Sequence, residues 1–525
     1  MTPAPPPSTS PDKPPFRRRT WLRLLLCLAA ILIILPTLAW QRVNSRGAGR
    51  LADARELAQQ QGLSLDFRDS LSAPVPDADN FCATPALHDL PLDHYGDTPP
   101  VDPGPELVAA EQRRDRLSAL ALEQMAPDSA ERPERPHGHV AGQPFDARAW
   151  TDYLGINPPD APGDPAAALL AALSADPDLE LELAAVLDRP AARWTPPWSE
   201  RELPDLLMGI TVPHYNATRH ASDYWALRAA AAARSGEPAI AHRCTRIVLR
   251  LTEATIDDPF IVGVIFGSMN ANIALGAVWE ICHARTGSAD DFASLANDLN
   301  RIDLHAALIM AYRSELCAAV NAVDSLRGET FWKILHILGT GSEAPPELLR
   351  RMPVPAGWID ANEAALIRRY VNDVIVPLRD DPSSLGHRGA ELEASFDNMK
   401  KGFHSDNFLS MLLIPVVVRL ERSIAVTRCQ LRMAALACAL ERHALLHDGY
   451  PEQLDPSTPE GGPWIDPYSG EPFRYQPTDD GRYRLWSIGP DRTDDDGQRN
   501  LDPEITQPNR DGYLGDLVWD YPPSD

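Results

Sequence analysis

Between Trp21 and Trp40 the chain reads WLRLLLCLAAILIILPTLAW, and the eighteen residues from Leu24 to Gln41 carry no charge. As a helix rising ~1.5 Å per residue, that run is roughly 27 Å long, about one bilayer hydrocarbon core. Trp21 and Trp40 stand where interfacial aromatics belong. Lys13, Arg17, Arg18, Arg19 and Arg23 precede the run, so the expected orientation keeps the N-terminus in the cytoplasm and the bulk of the chain outside it. A cleavable signal peptide is the rival, with Thr37-Leu38-Ala39 as a small-residue cleavage site. The length of the run, and Trp40 directly after the cut, favour an uncleaved anchor over residues 21–41. Residues 1–20 read as a disordered, Pro-rich cytoplasmic tail, because Thr2 to Pro15 holds seven prolines in fourteen positions.

Two later apolar stretches are expected to be buried helices rather than further spans. Phe260 to Ile281 carries Ser268, Asn270 and Asn272, which lipid would penalise, and Asn407 to Leu420 is short and contains Pro415.

The formal charge is −25, which argues against nucleic acid as a partner, since affinity for phosphate needs clustered Lys and Arg. The acidity is uneven. From Asp448 to Asp525 there are eighteen Asp and Glu against six Arg, a net of −12. The seven cysteines, Cys27, Cys82, Cys244, Cys282, Cys317, Cys429 and Cys438, form no C-x-x-C pair, so zinc ribbons and thioredoxin-like chemistry lack support. Those in apolar helical patterns read as small buried hydrophobes. Sequence alone does not pair them.

The predicted fold is mostly α: one N-terminal transmembrane helix, an irregular helical bundle or array, and a small C-terminal segment with a β-hairpin. Residues 42–146 read as a polar helix (Arg50 to Gln61) followed by irregular linker and one further helix from Glu106 to Met125. Within the Asp128 to Pro144 loop, His137-Gly138-His139 lacks a nearby third ligand at helical spacing and is expected to be solvated. Residues 147–447 carry the helical period almost throughout. Ser235-Gly236-Glu237-Pro238 separates two apolar helices as an αα-hairpin turn, with glycine at a helix C-terminus and proline in the next first turn. Ala361 to Pro377 and Met411 to His447 are predicted as single helices, the latter bent at Pro415. After Gly449 the period stops. In residues 448–525, Phe473-Arg474-Tyr475 and Tyr483 to Ser487 flank an Asp479-Asp480-Gly481 turn, a hairpin signal.

No G-x-S-x-G, H-E-x-x-H, Walker loop or G-x-G-x-x-G occurs. The pairs Asp257-Asp258 and Asp290-Asp291 each precede a helix, where capping accounts for them. Asp491, Asp494, Asp495, Asp496 and Asp502 lie within twelve residues around Gly497. They are the candidate metal ligands, for calcium, against the alternative of a solvated acidic loop. An EF-hand register fails, because it would place Arg492 first and Pro503 twelfth.

Several of these C-terminal features occur together in one known setting. Gly449-Tyr450-Pro451 follows a long helix; then come Asp466-Pro467-Tyr468-Ser469-Gly470-Glu471-Pro472-Phe473-Arg474-Tyr475, Tyr483-Arg484-Leu485-Trp486-Ser487-Ile488-Gly489-Pro490-Asp491 and Asp494-Asp495-Asp496. In order and spacing this segment resembles the C-terminal part of the major pseudopilin of bacterial type II secretion systems. The resemblance implies a helix leading into a small sheet and an acidic calcium loop. It covers only the tail. The start of the apolar helix, Arg18-Arg19-Thr20-Trp21-Leu22-Arg23, departs from a pilin-type signal, so filament assembly is not implied. The whole layout resembles a group of bacterial membrane-anchored helical proteins that carry this tail, which implies a layout and no reaction. The expected function is a non-catalytic interaction or scaffold role in the bacterial envelope, through an unknown protein partner. The alternative is an envelope hydrolase using carboxylates set between helices.

Overall fold

A computed structural model describes residues 16–92, 104–127, 130–156, 163–194, 212–330, 332–334, 347, 351, 353–386, 388, 406, 408, 417–454, 464–499 and 514–522. The chain is mostly helical, with a small antiparallel sheet near the C-terminus. Residues 1–15, the Met411 to Val416 stretch with Pro415, and Asp502 lie outside the described residues.

Helix α1 (Phe16–Gln60) is one unbroken element, with Pro36 inside it. The apolar run and the polar helix expected after it are therefore a single rod. Its two halves differ in surroundings. Trp21, Leu25, Leu28, Ile31 to Leu35, Leu38 and Trp40 are exposed apolar side chains, whereas Leu51, Ala54 and Ala58 are buried in the core.

Helices α2 (Pro105–Ser118), α4 (Pro165–Ala172) and α5 (Pro177–Ala184) pack on a central pair, and α3 (Ala147–Tyr153) packs on α4. The central pair is α6 (Pro213–Arg234) and α7 (Pro238–Ile256), joined as the turn residues predict: Gly236 takes φ +72 and Pro238 opens α7. Both pack on α8 (Ile261–Ala284). Ala229 to Ala233 are all buried, and their small size lets several helices approach α6 at once. Then follow α9 (Ala289–Arg301), α10 (Leu304–Ser325), α11 (Ala356–Arg369) and the long α12 (Val417–His447). Ser288 and Asp291 form a capping box on α9, the role expected of the Asp290-Asp291 pair. Asp258 is different. It is buried and accepts from His214 Nε2 at 2.9 Å and Tyr215 Oη at 2.8 Å, so it is a core hydrogen-bond hub and not a cap.

The helix predicted from Ala361 to Pro377 is interrupted by a π-turn, Tyr370–Ile375, before a last short turn Val376–Asp380. Pro377 has no N–H, so the Asp373 carbonyl loses its helical donor. Arg388 Nη2 donates to that carbonyl at 2.8 Å and to Val374 O at 3.0 Å.

Among the described residues, three segments are long and apolar enough to cross a membrane by length and composition: Ile261–Ala284, Ala289–Ser325 and Leu420–His447. Most of each apolar window is buried inside the protein. On α8, Ser268 Oγ and Asn272 Nδ2 donate to Thr427 Oγ1 of α12 at 3.1 and 2.8 Å.

The tail forms β1 (Arg474–Pro477), β2 (Tyr483–Ser487) and β3 (Leu517–Trp519), in the order β1-β2-β3. The predicted hairpin is present, with Tyr475 opposite Leu485; β3, with Trp519 opposite Leu485 on the other side, had no strand signal strong enough to find. Tyr483, Leu485 and Ser487 are buried and their alternation turns one face of the sheet toward α12.

Candidate functional site at the junction of tail and helical body

The end of α12 carries Glu441, which is buried and faces the sheet. Tyr450 Oη donates to Glu441 Oε2 at 2.9 Å, and Tyr483 Oη to Glu441 Oε1 at 3.3 Å. Tyr521 Oη lies 2.9 Å from Tyr483 Oη and accepts from Trp519 Nε1 at 2.9 Å. One direction satisfies every member: Trp519 donates to Tyr521, Tyr521 to Tyr483, and Tyr483 to Glu441. Burial pushes the Glu441 carboxyl up to about 7, against the pull of the Tyr450 hydrogen bond and of Arg482 and Arg285.

An open cleft of about 410 Å³ lies over this hub, lined by Arg285, Phe292, Glu441, Asp448, Tyr450 and Arg482 among others. The two arginines hold the cleft together. Arg285 ends α8 at φ 50, donates to Gly481 O at 2.7 Å and stacks 5.3 Å from the Tyr450 ring centroid. Arg482 donates to the carbonyls of Cys282 and His283 at the end of α8 and lies 4.6 Å from the Tyr521 ring centroid. Those carbonyls are the negative end of a helix, so a guanidinium there is well placed. Both oxygens of Glu441 are engaged by tyrosines, which makes it an anchor for the tail rather than a free acid.

The acidic loop is arranged differently from the expectation. Asp491 Oδ1 accepts from Thr493 N at 3.1 Å and Oδ2 from Gly515 N at 3.2 Å. Asp494 Oδ1 accepts from Trp486 Nε1 at 3.1 Å and Asp496 N at 3.3 Å, and its Oδ2 pairs with Arg474 Nε at 3.0 Å. Asp496 sits in the left-handed region at φ 54. The structure therefore does not turn Asp491 and Asp494 onto one point, and among the described residues no group of three or more His, Cys, Asp or Glu is arranged to hold a metal. Asp502 is not among those residues.

Asp516 is the residue that sequence reasoning missed. It is buried at the centre of the loop, and its Oδ2 accepts from Asp495 N at 3.1 Å and Gly497 N at 2.7 Å. Desolvation raises its carboxyl to about 6; Asp494 and Asp495 add to the rise, and the two backbone donors oppose it. The buried Oδ2 of Asp495 has no hydrogen-bond partner among the described residues. Asp516 stands far along the chain from Asp495; the pairing of β2 with β3, together with hydrogen bonds from Gly515 N to Asp491 and from Asp516 N to Gln498 O, brings them together.

Asp466, part of the tail motif, braces the sheet. Its Oδ1 accepts from Ser487 Oγ at 2.8 Å and Tyr468 N at 2.9 Å, and its Oδ2 from Ile488 N at 3.2 Å.

A second cleft, about 520 Å³, lies between α8 and α12 and is lined by His137, His139, Ser268, Met269, Asn272 and Thr427 among others. Here the expected solvated loop is corrected. His139 is buried, because Gly138 packs flat against the Trp279 ring and pulls the segment into the body. Burial lowers the His139 imidazole to about 3, with the neighbouring His137 acting in the same direction, so it stays neutral. Compared with known protein families, curated proteins and solved structures, the chain matches none.

Proposed function

We propose that this is a single-pass membrane protein of the bacterial envelope, N-terminus in the cytoplasm, whose extracytoplasmic helical body and docked tail serve a non-catalytic interaction or scaffold role. The observation that carries it is the division of α1. Its N-terminal half is an exposed apolar rod flanked by Trp21 and Trp40, and its C-terminal half is packed in the body. An apolar surface of that length costs least in lipid. The three other apolar segments are wrapped by protein and carry buried acidic side chains, with Glu280 on α8, Asp298 on α9, and Glu421 and Glu441 on α12. That supports their being core helices.

The hydrolase alternative needs carboxylates free to face a substrate. Glu441 and Asp448 do line one cleft, but Glu441 is held through both oxygens. Glu363 is held by Arg55 Nη2 at 2.7 Å and Arg327 Nη2 at 2.5 Å, and Glu180 by Arg228 and Arg243. These pairings suit a scaffold.

Calcium belongs to the same proposal with a revised ligand set. The unsatisfied Asp495 oxygen beside the raised Asp516 carboxyl suits a cation. A bound divalent ion there would neutralise carboxylates that otherwise repel one another.

Topology is tested by treating spheroplasts with a membrane-impermeant protease. Degradation of the body with the N-terminal tail protected is expected. Mature protein beginning near Trp40 in a soluble envelope fraction would falsify the anchor. Protected fragments bounded near Asp257 and Gly287 would show that α8 crosses the membrane and would end the single-pass proposal.

A further inference from the structure

Cys282 ends α8 and Cys438 lies on α12, both fully buried. Two independent sets of contacts bring them to one place. Arg482 beside β2 donates to the Cys282 carbonyl, and Tyr483 Oη, which donates to Glu441, also lies 3.5 Å from Ala437 O, so its contacts fall on either side of Cys438 on α12. Both are free thiols in the structure, and their side chains lie close enough to interact with one another. Other buried cysteines face different groups: Cys429 meets Ser487, Cys317 donates to Ser64 O, and Cys82 lies near Arg250.

We propose that Cys282 and Cys438 are joined by a disulfide that ties α8 to α12 beneath the docked tail. The oxidant is a disulfide on a thiol–disulfide exchange partner. One cysteine thiolate attacks that disulfide and expels a partner thiolate. The second cysteine, deprotonated, attacks the mixed disulfide and releases the other partner sulfur. Two thiols of this chain thereby lose two protons and two electrons, and the partner leaves as a dithiol. Burial pushes the Cys282 thiol up, and contact with Cys438 adds to it. Thiolate is therefore scarce once the core has closed, which places the reaction during folding. The bond would close a long loop through α9, α10 and α11, where a cross-link restricts the unfolded chain strongly. Oxidation in cells, though not the pairing itself, rests on the extracytoplasmic placement proposed above.

The test has two arms. Full-length protein is taken from cells into acid, alkylated under denaturing conditions and mapped by mass spectrometry. A peptide pair linked through Cys282 and Cys438, with the remaining cysteines alkylated, is expected. In parallel, the full chain in detergent is reduced, unfolded in urea and diluted into a glutathione redox buffer, then mapped in the same way. The link forming in the buffer but not in cells would uphold the pairing and overturn the extracytoplasmic placement. No link in either arm, or a link through Cys82, Cys244, Cys317 or Cys429, would overturn the pairing.

Discussion

Gly47 of α1 and Gly357 of α11 meet backbone to backbone: a Cβ on either would overlap main-chain atoms of the other helix. Asn44 Oδ1 accepts from Gly357 N at 2.9 Å across the same crossing. One turn on, Arg368 Nη2 donates to Arg50 O at 3.2 Å, and Arg55 reaches the buried Glu363. This crossing is what fixes α1 to the body.

Opposite effects are therefore expected from two glycines on one helix. Gly47→Val should destabilise by about 1–3 kcal/mol, because the backbones must part. Gly49 has nothing within 4 Å of its added Cβ, so Gly49→Ala should stabilise by about 0.5–1 kcal/mol through helix propensity. Urea unfolding of the full chain in detergent reads both. Equal effects at the two positions would refute the close crossing.

Removing one hydroxyl from the tail hub is expected to loosen the tail. Tyr483→Phe leaves Glu441 Oε1 without its donor and Tyr521 without its acceptor, a cost of about 1–3 kcal/mol for buried groups. Limited proteolysis should then cut faster between His447 and Trp464 while the helical body persists. An unchanged cleavage rate would mean that the relay contributes little to docking.

Calcium should raise the melting temperature of the full chain, and a chelator should lower it again. At a hundredfold excess over Kd the linkage is worth about 2.7 kcal/mol. Asp516→Asn and Asp495→Asn should abolish the shift, and Asp491→Asn should not, since both Asp491 oxygens serve backbone donors. A melt indifferent to calcium would leave the loop as a hydrogen-bonded turn only.

Without added cation, Asp516 should also give the tail a pH dependence. Its folded pKa, about 6, lies above the ordinary carboxylate value. Between roughly pH 4 and 6 the native state holds the extra proton, so the contribution is full below that window and lost as pH rises through it. The slope should approach ~1.4 kcal/mol per pH unit at most. Asp516→Asn should flatten it, and wild-type melts with no greater slope than the variant would sink the assignment.

Much of the helical body was legible because burial imposes a 3.6-residue period; Gly236, Pro238 and the Asp290-Asp291 pair marked boundaries that the structure keeps. The hairpin was legible from its turn. What stayed hidden depends on distant partners. The π-turn needs Arg388, the burial of His139 needs Trp279 against Gly138, and the role of Asp258 needs His214. In the acidic loop, counting carboxylates within a window selected neighbours in sequence, whereas strand pairing delivered Asp516 from outside it.

No break in α1 separates Trp40 from the crossing at Gly47. Over those seven residues the helix advances about 10 Å and turns nearly twice, so stand-off and azimuth are set by residue count. A single inserted residue would lift the body by about 1.5 Å and swing it by about 100°. Such a mast has a compass bearing as well as a height, and a docking face on the body would always meet the membrane-side neighbour at one heading.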